Sequence, residues 1–309
     1  MSTPSNAVPE TAVASQSSEM RLPTNPLYWS IRRELWEYRS VYLAPLAVAG
    51  VYLLGFFLYL HKLPSVMRAA MAADAMPQRH ALVQPFDFAA AAVMGTAFLV
   101  GMLYCLDALH AERRDRSILF WKSLPVSDLT TVIAKASIPL LVLPVVSYAI
   151  TIILQGIMLV LSTLVLSASG LSPAILWNQL AFFQSAFLLL YHLFTVHVLW
   201  YAPIYAYLLL ISAWARRTPL LWALLPMGAI GVFEMVVFHT AYFARFIGSR
   251  FSGGPEMDAS TMDGGMPLHP GVHLTPGHFL MAPGLWIGLL FAAAFLAAAA
   301  RIRRYRGPE

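Results

Sequence analysis

Charge is scarce in this sequence. Of 309 residues only 11% are Asp, Glu, Lys or Arg, against about 25% in ordinary soluble domains, while 59% are hydrophobic. A water-soluble fold cannot hide that much apolar surface. Length alone allows about two soluble domains, but long uncharged runs recur from residue 41 to residue 300 and leave no space for a second globular unit. Cysteine is nearly absent as well: Cys105 stands alone inside an apolar run, which excludes an intramolecular disulfide and any cysteine metal cluster. Three chemical signatures are missing altogether. There is no GxxxxGK[ST] phosphate cradle, no HExxH zinc helix and no Gly-x-Ser-x-Gly elbow. The chain is therefore expected to be no enzyme by itself and to bind no cofactor, and any energy drawn from nucleotide has to come from another chain. Residues 1–24, rich in Ser, Pro, Ala and Thr, have neither the apolar core nor the basic start of a cleavable signal and read as a short disordered tail.

What the sequence does have is six apolar stretches, at about 41–60, 88–109, 138–166, 187–213, 219–239 and 279–300. Each reaches the roughly 20 residues needed to cross a hydrocarbon core of about 30 Å. All are expected to be helices, because lipid offers no partner to a free backbone group and the alternation of a barrel strand is missing. The fourth stretch is long, with Pro203 inside it, and parity decides that it crosses once. With six spans, Arg21, Arg32, Arg33, Arg39, Arg113, Arg114, Arg116, Lys122, Lys135, Arg216, Arg217, Arg301, Arg303, Arg304 and Arg306 share one side. Lys62, Arg68, Arg79, Arg245 and Arg250 take the other. The positive-inside rule puts the larger set, and both termini, in the cytoplasm. Residues 171–186 then form an outer-face amphipathic segment leading into a tilted helix. The net charge of +5 is explained by this topology rather than by nucleic-acid binding, since the basic residues flank apolar runs. The expectation is an all-α, multi-pass protein of a bacterial inner membrane, with residues 25–309 as one transmembrane domain.

Three features lie outside the spans. Asn25 and Pro26 make a helix start. Leu27, Tyr28, Ile31, Leu35, Tyr38 and Tyr42 then share a face, Trp29 and Trp36 sit on its border, and Arg33, Glu34 and Glu37 are assigned to the opposite side. This predicts a helix lying in the headgroup plane, or else a cytoplasmic extension of the first span. The long loop after span two, Ala108 to Ala136, carries an apolar island of Ile118, Leu119, Phe120 and Trp121 fenced by Glu112, Arg113, Arg114, Asp115, Arg116 and Lys122. Such a knob suits burial in a partner's groove, and equally a loop whose aromatics rest on lipid headgroups. Pro125 ends this element and Ser127 caps a helix running unbroken into span three. The loop from Phe251 to Phe279 holds His269, His273 and His278 with Met257, Met262 and Met266, soft-ligand chemistry without a spacing that fixes a coordination geometry.

Within the bilayer Glu234 is the costliest residue, a carboxylate beyond the middle of span five. His192, His197, Gln155 and Gln184 offer helix-to-helix hydrogen bonds. A translocation path or subunit seam and a buried structural network both fit these residues. Two whole-chain readings go with them: a secondary transporter relaying protons through Glu234, and a metal-handling subunit using the His and Met loop.

The run ERRDRSILFWKSLPVSDLTTVIAK, Glu112 to Lys135, resembles the permease subunits of type-2 ATP-binding-cassette (ABC) exporters, which show an acidic-basic run, a short apolar element, an SLPVS turn and a lysine before span three. The outline from residue 25 onward is similar too: an amphipathic lead helix, six spans, one long loop after span two and an extended outer segment between spans five and six. Arg116 stands where many relatives carry glycine. The resemblance implies a dimer with itself or a similar permease, and a separately encoded ATPase holding ATP and Mg. It also implies a coupling helix at Ile118 to Leu124, approached through Glu112 to Arg116 and ended by Pro125.

Overall fold

The computed structural model describes residues 25–72, 76–123, 125–251 and 276–307. Among these residues all regular structure is helical. Six helices are long and apolar enough to cross a membrane: Ser40–Ala72, Ala81–Arg114, Asp128–Ala168, Ala174–Trp200, Pro219–Phe238 and Pro283–Tyr305. The chain thus has the build of a multi-pass membrane protein.

Local chemistry sets the boundaries. The Asn25 side chain accepts from the Leu27 N–H at 3.1 Å ahead of Pro26, and the lead helix runs Pro26–Glu37. Ser127 accepts from the Thr130 N–H at 3.0 Å, and the helix it caps continues to Ala168. That continuity includes a wide turn over Ile138–Val142, in which the Leu143 N–H reaches the Ile138 carbonyl. Pro139 and Pro144 lack the N–H groups an ordinary ladder would use there. The fourth apolar stretch is built the same way. It starts at Ala174, bends at Ala181, whose φ is 41°, and passes through a wide turn over Leu193–Trp200. There the Tyr201 N–H donates to Val196 O, and the stretch ends as the shorter helix Ala202–Trp214. Pro203 removes one more ladder donor at the junction.

Packing divides the bundle into two ends. At one, Tyr104, Cys105, Leu109, Val132, Ile138, Tyr205 and Leu209 form a buried cluster that ties the second and third spans to Ala202–Trp214 and to Ala299 of the last helix. At the other, Phe56, Leu63, Met67, Phe86, Met158 and Leu176 do the same for the first three spans and the segment Ala174–Leu180. At the first end Gly101 lets the second span come close to the helix Ala202–Trp214 and to Pro139, since a Cβ there would meet the Tyr205 ring at 3.0 Å and Pro139 at 3.3 Å. Helix Pro219–Phe238 stands apart, with Ala223 its one buried residue.

Candidate functional site

The sequence places a short apolar element after span two, and the structure forms it as the six-residue helix Ile118–Ser123. Ile118 is buried and anchors it, while Leu119 and Phe120 project outward at 59% and 60% exposure. Trp121 is half-buried: the Arg33 guanidinium of the lead helix lies 3.9 Å over its ring. Lys122 Nζ donates to the carbonyls of Arg304 and Arg306 at 3.3 and 3.0 Å. The short helix is therefore gripped from both sides, by the lead helix and by the end of the last helix, with only two apolar side chains left outward. The tight turn before it forms with Arg116 in the left-handed region, φ 57°. Arg114, Asp115 and Arg116 are exposed, as is Pro125. Leu124 lies outside the described residues.

Two members of the expected charged rim are not on the rim. Glu112 and Arg113 are 4% and 3% exposed and point into the bundle. Arg113 donates to Ser212 O at 2.9 Å and also to Ala215 O. The Ser212 hydroxyl in turn accepts from the N–H groups of Leu109 and His110 at 3.1 and 3.0 Å. These bonds satisfy the break in the ladder where the loop leaves span two.

Glu112 belongs to a buried ion cluster. Lys135 Nζ sits 2.9 and 3.1 Å from the two Glu34 oxygens and 3.1 Å from Glu112 Oε1. Arg303 Nη2 is 3.2 Å from Glu112 Oε2, and its Nη1 pairs with Asp128. Arg33 pairs with Glu34 and lies 3.4 Å from Glu112. The Tyr104 hydroxyl donates to Glu34 at 2.8 Å. Three carboxylates thus face three cations and make the inner cluster electrically neutral, with the exposed Glu37 at its edge, 4.0 Å from Arg33. Burial alone would raise the Glu34 carboxyl, but Lys135 and Arg33 outweigh it and hold its pKa below the usual range.

The assignment of Glu34 to the polar side of the lead helix is corrected: it is 1% exposed. At 100° per residue it lies only about 60° from Ile31, and Ile31, Leu35 and Tyr38 pack on the core beside it. The sequence signal was a helical wheel read too coarsely, and a lone lysine in the otherwise uncharged Val132–Ser137. Asp87 was also passed over, because span two was started at residue 88. It is buried, within the helix Ala81–Arg114.

Four of the intramembrane polar residues have distinct hydrogen-bond surroundings. Glu234 accepts from the Thr240 hydroxyl at 2.8 Å and from the N–H groups of Tyr242 and Phe243 at 2.7 and 2.8 Å. It therefore caps the helix Tyr242–Phe251 from a distance in sequence. Gln155 donates to Phe86 O at 3.1 Å, and His192 Nδ1 lies 3.0 Å from Leu188 O. His197 stands edge-on to Tyr201 with its Nδ1 buried and unpartnered. No hydrogen bond joins any one of these four to another. His269 and His273 lie outside the described residues, and His278 falls by its backbone in the helix Pro276–Met281. Among the described residues no group of three His, Cys, Asp or Glu side chains is arranged to hold a metal. Neither a family model, nor a curated protein, nor a solved structure matches this chain.

Proposed function

We propose that this chain is the membrane-spanning permease subunit of an ABC exporter in a bacterial inner membrane. The helix Ile118–Ser123 is its coupling helix, docked on a separately encoded ATPase that binds ATP and Mg. The observation that carries the reading is the pairing of two exposed apolar side chains, Leu119 and Phe120, with a helix held rigidly by Arg33 and Lys122. Exposed aromatics on a rigid mount are what a hot spot requires, and a mount tied to both the lead helix and the last helix transmits a push from the partner into the bundle.

In this reading both termini are cytoplasmic and the lead helix lies at the headgroup level. Its exposed Trp29 and Trp36, each stacked with Arg32 at 5.2 and 4.8 Å, suit that interface. A second permease, identical or similar, completes the transporter. The test is recovery of an ATPase on purification in mild detergent. Leu119→Asp with Phe120→Asp is expected to abolish co-purification while the permease still folds. Undiminished recovery of the complex would remove the coupling role.

A further inference from the structure

Arg250 is the last but one residue of the helix Tyr242–Phe251, and it is 6% exposed. Its guanidinium lies 4.1 Å over the Trp200 ring on one side. On the other it rests on the last helix, in the groove left by the glycines of the sequence Gly284-Leu-Trp-Ile-Gly288. A Cβ at Gly288 would fall 2.9 Å from both terminal nitrogens, so any larger residue there would make the guanidinium shift. One arm donates to Gly284 O. The other terminal nitrogen, Nη1, is buried with no acceptor, and among the described residues Arg250 forms no ion pair. The contrast with Arg303, on the same last helix, is direct, because Arg303 has two carboxylates. Gly284 and Arg303 are separated by roughly 28 Å of helix, so Arg250 sits far from the neutral cluster, at the opposite end of the last helix.

A buried cation without an anion costs several kcal/mol, and the described residues supply Arg250 with none, yet they hold it in place. Trp200 Nε1 donates to Ser249 O at 3.3 Å and the Tyr201 hydroxyl to Phe251 O at 3.3 Å, fixing the turn that carries it. Glu234 fixes the other end of the same helix. The uncapped N-terminus of the last helix, at Ala282 and Pro283, adds a second positive end beside the guanidinium. The Phe246 ring, whose centroid is 5.7 Å from the guanidinium, is 54% exposed.

We propose that Arg250 is an anion-binding residue, taking the phosphate or carboxylate group of an amphiphile at the junction of Trp200, the helix Tyr242–Phe251 and the Gly284–Gly288 face. Nη1 supplies the charge-assisted donor. The exposed Phe246 ring beside it receives the apolar body of the same molecule. This site is independent of the coupling helix and stands whether or not an ATPase docks there.

The test uses the full chain purified into phosphatidylcholine nanodiscs, in two arms. The first adds phosphatidylglycerol and reads retained lipid by native mass spectrometry and the shift in unfolding temperature. The second adds inorganic phosphate without anionic lipid and reads the same shift. Anion stabilisation is expected in at least one arm, and affinity is expected to fall by about tenfold or more in Arg250→Gln and Arg250→Met. Loss in the first arm identifies a lipid headgroup, and loss in the second a soluble anion. Equal anion binding by a folded neutral variant would overturn the assignment, as would the absence of anion stabilisation in both arms. Failure of both neutral variants to fold would make Arg250 a structural strut and overturn it too.

Discussion

Arg116 sits with φ 57° at a turn where glycine would pay no steric penalty, and a left-handed conformation costs an L-residue about 1 kcal/mol. Arg116→Gly should therefore fold at least as well as the parent, with an unchanged or higher unfolding temperature in detergent. Lys135 is the opposite kind of residue. Removing one partner from a buried charge cluster costs about 3 to 5 kcal/mol because the others stay buried unpaired. Lys135→Met is expected to lose that much, measured by chemical unfolding, and the double variant with Glu34→Gln to lose less than the sum. Glu34 also sets a pH dependence. Its native pKa lies below its unfolded one, so its contribution is complete above about pH 5 and drains away as pH falls through about 4.3 toward the lowered native value. Unfolding temperatures from pH 7 to pH 4 should show this fall, and Glu34→Gln should flatten it.

At the scale of elements, the lead helix shows what a sequence can and cannot reveal. Its start at Asn25 and Pro26 was legible because a cap is a local event. So was the helix capped by Ser127. The distant partners of Glu34, Tyr104 and Lys135, were not legible, since they lie 70 and 101 positions away. The wide turns at Ile138–Val142 and Leu193–Trp200 were hidden for another reason: they change the hydrogen-bond ladder without changing the hydrophobicity of the run. The helix Tyr242–Phe251 supplies a test of its own. Its first N–H groups are bound by Glu234, so Glu234→Ala should raise hydrogen exchange across 242–251 and leave exchange at the Glu34–Lys135 cluster unaltered. Equal exchange in both proteins would show that the cap is dispensable.

For the whole molecule, hydrophobic run length was enough to find six helices long and apolar enough to cross a membrane, but the fourth was expected at 187–213 and is Ala174–Trp200, with Ala202–Trp214 a separate shorter helix. Side-chain destinations were harder. Glu112 and Arg113 looked like rim charges beside Arg114 and Arg116, and only the meeting of the second span with Ser212 and Arg303 shows them turned inward. Orientation is open to direct measurement. Cys105 is fully buried, so Phe120→Cys introduces a single reactive thiol. It should be labelled by an impermeant maleimide in inverted vesicles and spared in right-side-out ones.

The neutral cluster draws on four stretches of chain, and the last to be synthesised is the one bearing Arg303, 175 residues after its partner Asp128. Until that helix emerges from the ribosome and inserts, Glu112 and Asp128 lack one of their cations. A bundle still awaiting that helix thus carries unbalanced negative charge in its core, so insertion of the last helix and neutralisation of the interior are one event.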